Sequence, residues 1–317
     1  MGVLYCGIDE AGYGPMLGPL CVALAAYEVE GWQPGDTAPD LWTLLSRAVT
    51  RQARGAGTRI PIADSKKLKL SNSGSVDPLV HLERGVLSHL GAWLEMPTSD
   101  ADLFNALGVR LGDEAWYADQ ERTLPRAGLA DALRIDANML LRAGRDAGVR
   151  LVGLWCLTLP EQPYNTLIER HGTKAATTEF ALRRLIERVL QHAGESHVRI
   201  VCDRQGGRQK YVRTVSDLAG RGTASVLEEA DRVSRYALDD RTIVSFQPEA
   251  ENAHMPVALA SMTAKLVREL AMARFNRYWS SRVPGLRPTA GYVQDARRWL
   301  AEAGLDEPTR AVLVRKA

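Results

Sequence analysis

Asp9 and Glu10 stand side by side where an apolar run meets a glycine-rich turn, Gly7-Ile8-Asp9-Glu10-Ala11-Gly12-Tyr13-Gly14-Pro15. Two adjacent carboxylates at the end of a strand put oxygen ligands at a sheet edge, a setting that holds a hard divalent cation. Strict alternation would send the two side chains to opposite faces, so a shared site requires the strand to bend or stop there. Ala11-Gly12 permits that, and glycines on both sides of Tyr13 let backbone come close to a ligand. So short a motif leaves two readings open, because a glycine turn with two solvent-facing acids has the same sequence.

The elements that position these acids follow from the apolar pattern. Residues 3–9 form a short apolar run, read as a buried strand, and residues 20–29 pair with it as a hairpin across the turn. Further strands are predicted over 151–158 and 198–203, the second ending in Asp203 before the polar Arg204-Gln205-Gly206-Gly207. Helical periodicity runs through 78–94, 130–147 and 179–191, with a short helix around 41–49. From Pro256 to about Trp279 the spacing predicts a long amphipathic helix with Leu259, Met262, Leu266, Leu270 and Ala273 on one stripe. A last helix covers 295–303. Strands alternating with helices make this an α/β protein, and the opening hairpin makes the sheet mixed.

A chain of 317 residues, 45% hydrophobic and 25% charged, suits one large domain with insertions or two small ones, and argues against disorder. No run approaches the length of a membrane span, and no basic n-region precedes the first apolar segment, so a soluble cytoplasmic protein is expected. Cys6, Cys21, Cys156 and Cys202 are far apart in apolar surroundings, which predicts buried reduced thiols. The six histidines share no ligand spacing. Net charge is +2, yet residues 251–300 carry eight basic side chains (Lys265, Arg268, Arg274, Arg277, Arg282, Arg287, Arg297, Arg298) against three acidic. Such a stretch suits a phosphate backbone. An Arg-rich solvated helix surface is the other reading, and charge alone favours it.

Four segments in order resemble the type 2 ribonuclease H family, the ribonuclease HII-like nucleases. Residues 7–19 are similar to its opening G-[IV]-D-E-[AV]-G-R-G-P-x-x-G-P, and Asp64-Ser65-Lys66-Lys67-Leu68 reproduces its D-S-K-K-L. Residues 258–265, A-L-A-S-M-T-A-K, resemble its A-A-A-S-I-x-A-K helix. Gly291-Tyr292 followed by Trp299-Leu300 resembles its G-Y-P…W-L tail. The matches span nearly the whole chain, as a divergent member would.

That resemblance implies a ribonuclease H-like fold: a mixed central sheet flanked by helices, plus a C-terminal helical extension. The catalytic domain would be 1–285, with insertions at about 31–60 and 96–150, and the helical tail 286–317 would pack on it. It implies four catalytic carboxylates, Asp9, Glu10, Asp203 and Glu251. Asp203 is followed by Gly207 and Tyr211 as in the family's archaeal and eukaryotic branches. Glu251 is reached by counting ten residues back from Ser261, where the family has Asp, and Glu249 competes with it. Glu269 is a second Asp-to-Glu exchange and a further implied metal ligand. Gly12, Tyr13, Gly14, Ser65, Lys66, Lys67, Ser261, Lys265 and Tyr292 fall at substrate-binding positions.

The implied cofactor is Mg2+ or Mn2+, as two ions about 4 Å apart that hold the attacking water and the leaving oxygen in line across a phosphate. The implied substrate is nucleic acid, either an RNA–DNA hybrid or duplex DNA containing a ribonucleotide, with no membrane and no obligate protein partner. Tyr13 departs from the family, because the G-R-G turn that reads the ribonucleotide has lost its guanidinium. Its two glycines keep backbone readout of a 2′-hydroxyl available. The departure keeps two alternatives open: a nuclease of the same fold for branched or damaged DNA, and a non-catalytic nucleic-acid-binding module.

Overall fold

A computed structural model describes residues 2–118, 121–204, 208–218 and 223–316 of the chain. The first strands are β1 (Gly2–Ala11) and β2 (Leu20–Glu30), followed by a short helix α1 (Leu41–Leu44) and the two-residue strands β3 (Val49–Thr50) and β4 (Ile60–Pro61). Helices α2 (Ser65–Leu68), α3 (Val80–Trp93), α4 (Asp100–Leu107) and α5 (Ala130–Ala147) lead into β5 (Val149–Leu159). Next come α6 (Glu161–His171), α7 (Ala175–His192), β6 (His197–Asp203), α8 (Val212–Ser216), β7 (Ser225–Glu229), β8 (Ser234–Ala237) and β9 (Thr242–Gln247). A 3-10 turn (Ala250–Asn252) precedes α9 (Met255–Ser280), and α10 (Val293–Ala303) and α11 (Glu307–Leu313) end the chain.

The main sheet has the order β5-β2-β1-β6-β9-β8-β7. β1 pairs antiparallel with β2 (Asp9 opposite Ala23), as the hairpin reading expects, and parallel with β6 (Ile8 opposite Cys202). β6 pairs parallel with β9, bringing Asp203 opposite Gln247. The result is a mixed sheet with helices on both faces and at the C-terminus, the α/β arrangement that the alternation of strands and helices predicts. Its two faces bury separate cores. Val3 and Tyr5 of β1 point toward α9, α3 and α5, whereas Leu4, Cys6 and Ile8 point toward α6 and α7. All four cysteines are buried and free, as expected.

Helix α9 forms because Pro256 sits at its start, where a missing N–H costs nothing, and a run of Ala, Leu and Met follows. It departs from the amphipathic stripe read from the sequence. Every residue from Met255 to Ala264 is buried, as are Arg268 and Arg274, because β1, β2 and α3 surround it. The approach to β1 is close enough that a Cβ at Gly7 would lie 2.1 Å from Val257 N, so only glycine fits there. The tail belongs to the same core: Trp299 is 1% exposed and its ring lies 5.1 Å from that of Phe275.

Candidate active site

The parallel pairing of β1 and β6 is what gathers the acids. Asp9 and Asp203 come at neighbouring strand ends and on the same sheet face as α9. β1 stops one residue after Glu10, and the Glu10 N–H turns back to donate to Asp9 Oδ1 at 2.7 Å. From β9 the chain reverses at Glu249, whose φ of 53° is left-handed. The 3-10 turn after it is tied to Asp203, because the Ala250 N–H donates to Asp203 Oδ1 at 3.0 Å. That bond brings Glu251, the next residue, to the same strand end.

Charge and burial then act on the cluster together. Burial pushes the Asp9 carboxyl well above the usual carboxylate range, and Glu10 and Asp203 push it further; hydrogen bonds from Ser261 and the Glu10 N–H oppose them. Glu10 is raised to about 7 by burial and by Asp203, against the pull of Lys66. Burial raises Asp203 as well, and Asp64 adds to it, while the Ala250 and Arg204 N–H groups and Lys66 lower it. Glu251 is raised by burial, then by Asp203 and Asp64, again with Lys66 opposing. Four acids, with Asp64 as a fifth, thus share one field with a single ammonium.

Positive charge is what such a site lacks. All-oxygen ligation and excess negative charge fit Mg2+ or Mn2+ rather than a soft metal. As the side chains stand, no three His, Cys, Asp or Glu among the described residues are close enough together to hold an ion, so ligation requires side-chain rotation.

Around the acids, the other expected site residues fall into distinct places. Ser65 and Ser261 are buried, at 5% and 3% exposure, and their hydroxyls lie 3.0 Å apart. Ser261 hydrogen-bonds Asp9, and the serine pair pins the Asp64–Leu68 turn onto α9, so both stand behind the acids. Lys66 is exposed beside the acids, and Lys67 Nζ donates to Asn252 Oδ1 at 2.7 Å, on the turn that carries Glu251. Glu249 is exposed and accepts from Asn252 Nδ2 at 3.4 Å.

Glu269 is not brought to the cluster. It is ion-paired with Lys265 at 2.8 Å, eight residues past Ser261 and so roughly 12 Å along the helix. Lys265, only 15% exposed, is held by the same pair. The basic stretch is corrected too. Arg268 is 2% exposed and donates to the Leu17, Pro19 and Ala290 carbonyls. Arg274 is 8% exposed and grips Asp100 bidentately at 2.8 and 2.9 Å. Arg287 and Arg298 pair with Glu302. Arg268 and Arg274 therefore hold the fold together, whereas Arg282, Arg287 and Arg297 stay on the solvated surface.

The Gly12–Gly14 turn begins two residues past Glu10, with the Tyr13 ring half-buried and Lys174 Nζ 5.5 Å from its centroid. Tyr292 is 49% exposed at the start of α10. The segments that carry them are joined, since the Gly291 carbonyl accepts from the Met16 and Leu17 N–H groups at 2.8 and 3.2 Å. Tyr211 is buried and stacked on Phe246, 3.7 Å between centroids. Gly207 lies outside the described residues. Two residues escaped the sequence reading: Asp64 beside the acids, and Arg315, which donates to the Gly12 and Tyr13 carbonyls. Asp64 was legible only as the first letter of D-S-K-K-L, and Arg315, near the C-terminus, follows no pattern at all.

No family model matches the sequence, and no curated protein does. Among solved structures, a chain of the PCNA:RNase HII complex from Archaeoglobus fulgidus is similar at 15% identity over 98% of this chain and 93% of that one, with a TM-score of 0.45. Bst-RNase HIII in complex with Mn2+ is similar at 15% identity, covering 99% of this chain and 66% of that one, TM-score 0.44. The ribonuclease H2 from Pyrococcus horikoshii OT3 is 14% identical, covering 99% and 92%, TM-score 0.39.

Proposed function

We propose that this chain is a divergent type 2 ribonuclease H: a divalent-metal-dependent endonuclease that hydrolyses the phosphodiester at ribonucleotides in RNA–DNA hybrids or duplex DNA. The observation that carries the reading is the shared field of Asp9, Glu10, Asp203 and Glu251 at two parallel strand ends, each carboxyl raised by burial with a second acid adding to it. A protein that keeps so much unbalanced negative charge together is built for a cation. Bound there, Mg2+ or Mn2+ supplies charge neutralisation at the scissile phosphate and an acidified water.

The chain's own residues do the remaining work. Ser261, braced by Ser65, holds the Asp9 carboxylate, and the Ala250 N–H fixes Asp203. Lys66, whose charge reaches Glu10, Asp203 and Glu251, meets the approaching phosphate. The Gly12-Tyr13-Gly14 backbone reads the sugar, and the exposed Tyr292 ring packs beside it. A cytoplasmic location suits such an enzyme.

The test is cleavage of two duplexes that differ in one 2′-hydroxyl, with Mg2+ or Mn2+ titrated in. Metal-dependent cutting at the ribonucleotide alone is the expected result. Equal cutting of both would favour the DNA-directed reading, for which the Tyr13 substitution is the specific motive. Binding without any cutting would leave a nucleic-acid-binding module.

A further inference from the structure

The turn between β1 and β2 is gripped from inside the protein by a side chain from the other end of the sequence. Arg315 is 4% exposed, with its guanidinium 3.8 Å over the Tyr164 ring. Its Nη1 donates to the Gly12 carbonyl at 2.6 Å and the Gly18 carbonyl at 3.3 Å, and its Nη2 donates to the Tyr13 carbonyl at 3.2 Å. The Arg315 N–H donates to the Met16 carbonyl at 2.9 Å. The tail is itself anchored: Asn165 donates from Nδ2 to the Val314 carbonyl at 2.9 Å and accepts the Lys316 N–H at 2.7 Å. From the opposite side Arg268 takes the Leu17 and Pro19 carbonyls.

The consequence lies in the groups left over. With the Gly12 and Tyr13 carbonyls turned inward, the N–H groups of Gly12, Tyr13 and Gly14 donate no hydrogen bond to any described residue. Gly12 is at φ 91°, open to glycine alone, and Gly14 is exposed. Three successive amide donors without a partner among the described residues, starting two residues past Glu10, are available to an anionic or hydroxyl oxygen. Only a planar fork can hold two adjacent carbonyls from one side; an ammonium is a single point of charge.

We infer that Arg315 is a positioning residue for substrate discrimination: it orients the Gly12–Gly14 amides toward the sugar-phosphate at the cut, without touching substrate itself. The inference rests on the nuclease reading above. It assigns the C-terminal segment a part in specificity in addition to packing. A merely structural role would lower stability and weaken activity on every duplex alike, whereas a positioning role alters the ratio between duplexes.

The experiment compares the full-length wild type, Arg315→Lys and Asn165→Ala. The second variant loosens the tail without touching the turn, in case Arg315→Lys folds poorly. Each protein is assayed on matched duplexes with and without one ribonucleotide, and hydrogen–deuterium exchange is followed over residues 12–19. The expected result is faster exchange in that segment and a loss of ribonucleotide preference on the order of tenfold in Arg315→Lys, with a smaller loss in Asn165→Ala. An unchanged preference in a folded Arg315→Lys protein, with or without faster exchange, would overturn the inference while the nuclease reading stands. A wild type that cuts both duplexes equally would instead overturn the reading of the site, and the inference with it.

Discussion

At the scale of single residues, the acids differ in how visibly the sequence marks them. Asp9, Glu10 and Asp203 are legible because each ends an apolar run, and an acid in that position has few structural uses. Glu251 lies in a polar turn with no periodicity, so it could be reached only by counting from Ser261. The structure separates it from Glu249 physically. Glu251 shares the field of Asp203, while Glu249 is exposed beyond a left-handed backbone position. Glu251→Gln should therefore reduce metal-dependent cleavage by more than about 100-fold, and Glu249→Gln by no more than about twofold, in single-turnover assays. The reverse ranking would mean that the turn had been assigned to the wrong acid. The raised carboxyls also set a pH dependence for the metal-free protein. Folding lifts Glu10 from its ordinary 4.5 to about 7, so its folded form favours the proton. The stability this provides is complete below pH 4.5 and is lost as pH rises through 7, with Asp203 and Glu251 shifted in the same direction. Metal-free Tm should fall over that window, and fall less in Glu10→Gln.

At the scale of elements, helix α9 shows where pattern reading succeeds and where it fails. Its extent was legible from a long helix-forming run after Pro256, but its environment was not. Charged residues at helical spacing read as a solvent face, yet Arg268 and Arg274 point into protein and spend their donors on carbonyls and on Asp100. A sequence cannot distinguish a buried arginine from an exposed one when its partner lies 174 residues away. Arg274→Ala should consequently cost about 3–5 kcal/mol in chemical denaturation, since it strands a buried carboxylate. The slope of nucleic-acid affinity against salt should not change, whereas a flatter slope would restore Arg274 to a phosphate-binding face. Strand β9 was missed for a related reason. It has only six residues, Thr-Ile-Val-Ser-Phe-Gln, and the polar residues at positions 242, 245 and 247 break its apolar run too often to register. Without it the sheet had no path from β6 to the turn that carries Glu251.

At the scale of the whole molecule, distant segments converge on one sheet edge. The hairpin brings Asp9 and Glu10, the parallel crossover brings Asp203, the 3-10 turn brings Glu251, and α9 and the Asp64–Leu68 turn orient them from above. The C-terminal segment then braces the neighbouring turn. The α/β class and the opening hairpin could be read from alternation alone, but the convergence could not, because pairing of β1 with β6 joins residues almost 200 positions apart. The central claim is that this convergence exists to hold a divalent cation. Thermal unfolding of the wild type and of Asp203→Asn, with and without Mn2+, tests it most directly. A cation at 100 times its Kd stabilises the folded state by about 2.7 kcal/mol. The wild type should therefore gain several degrees in Tm on adding Mn2+. Asp203→Asn should be at least as stable as the wild type without metal and gain little with it. A wild-type Tm indifferent to Mn2+, or an equal gain in both proteins, would contradict the assignment of this site as a metal centre.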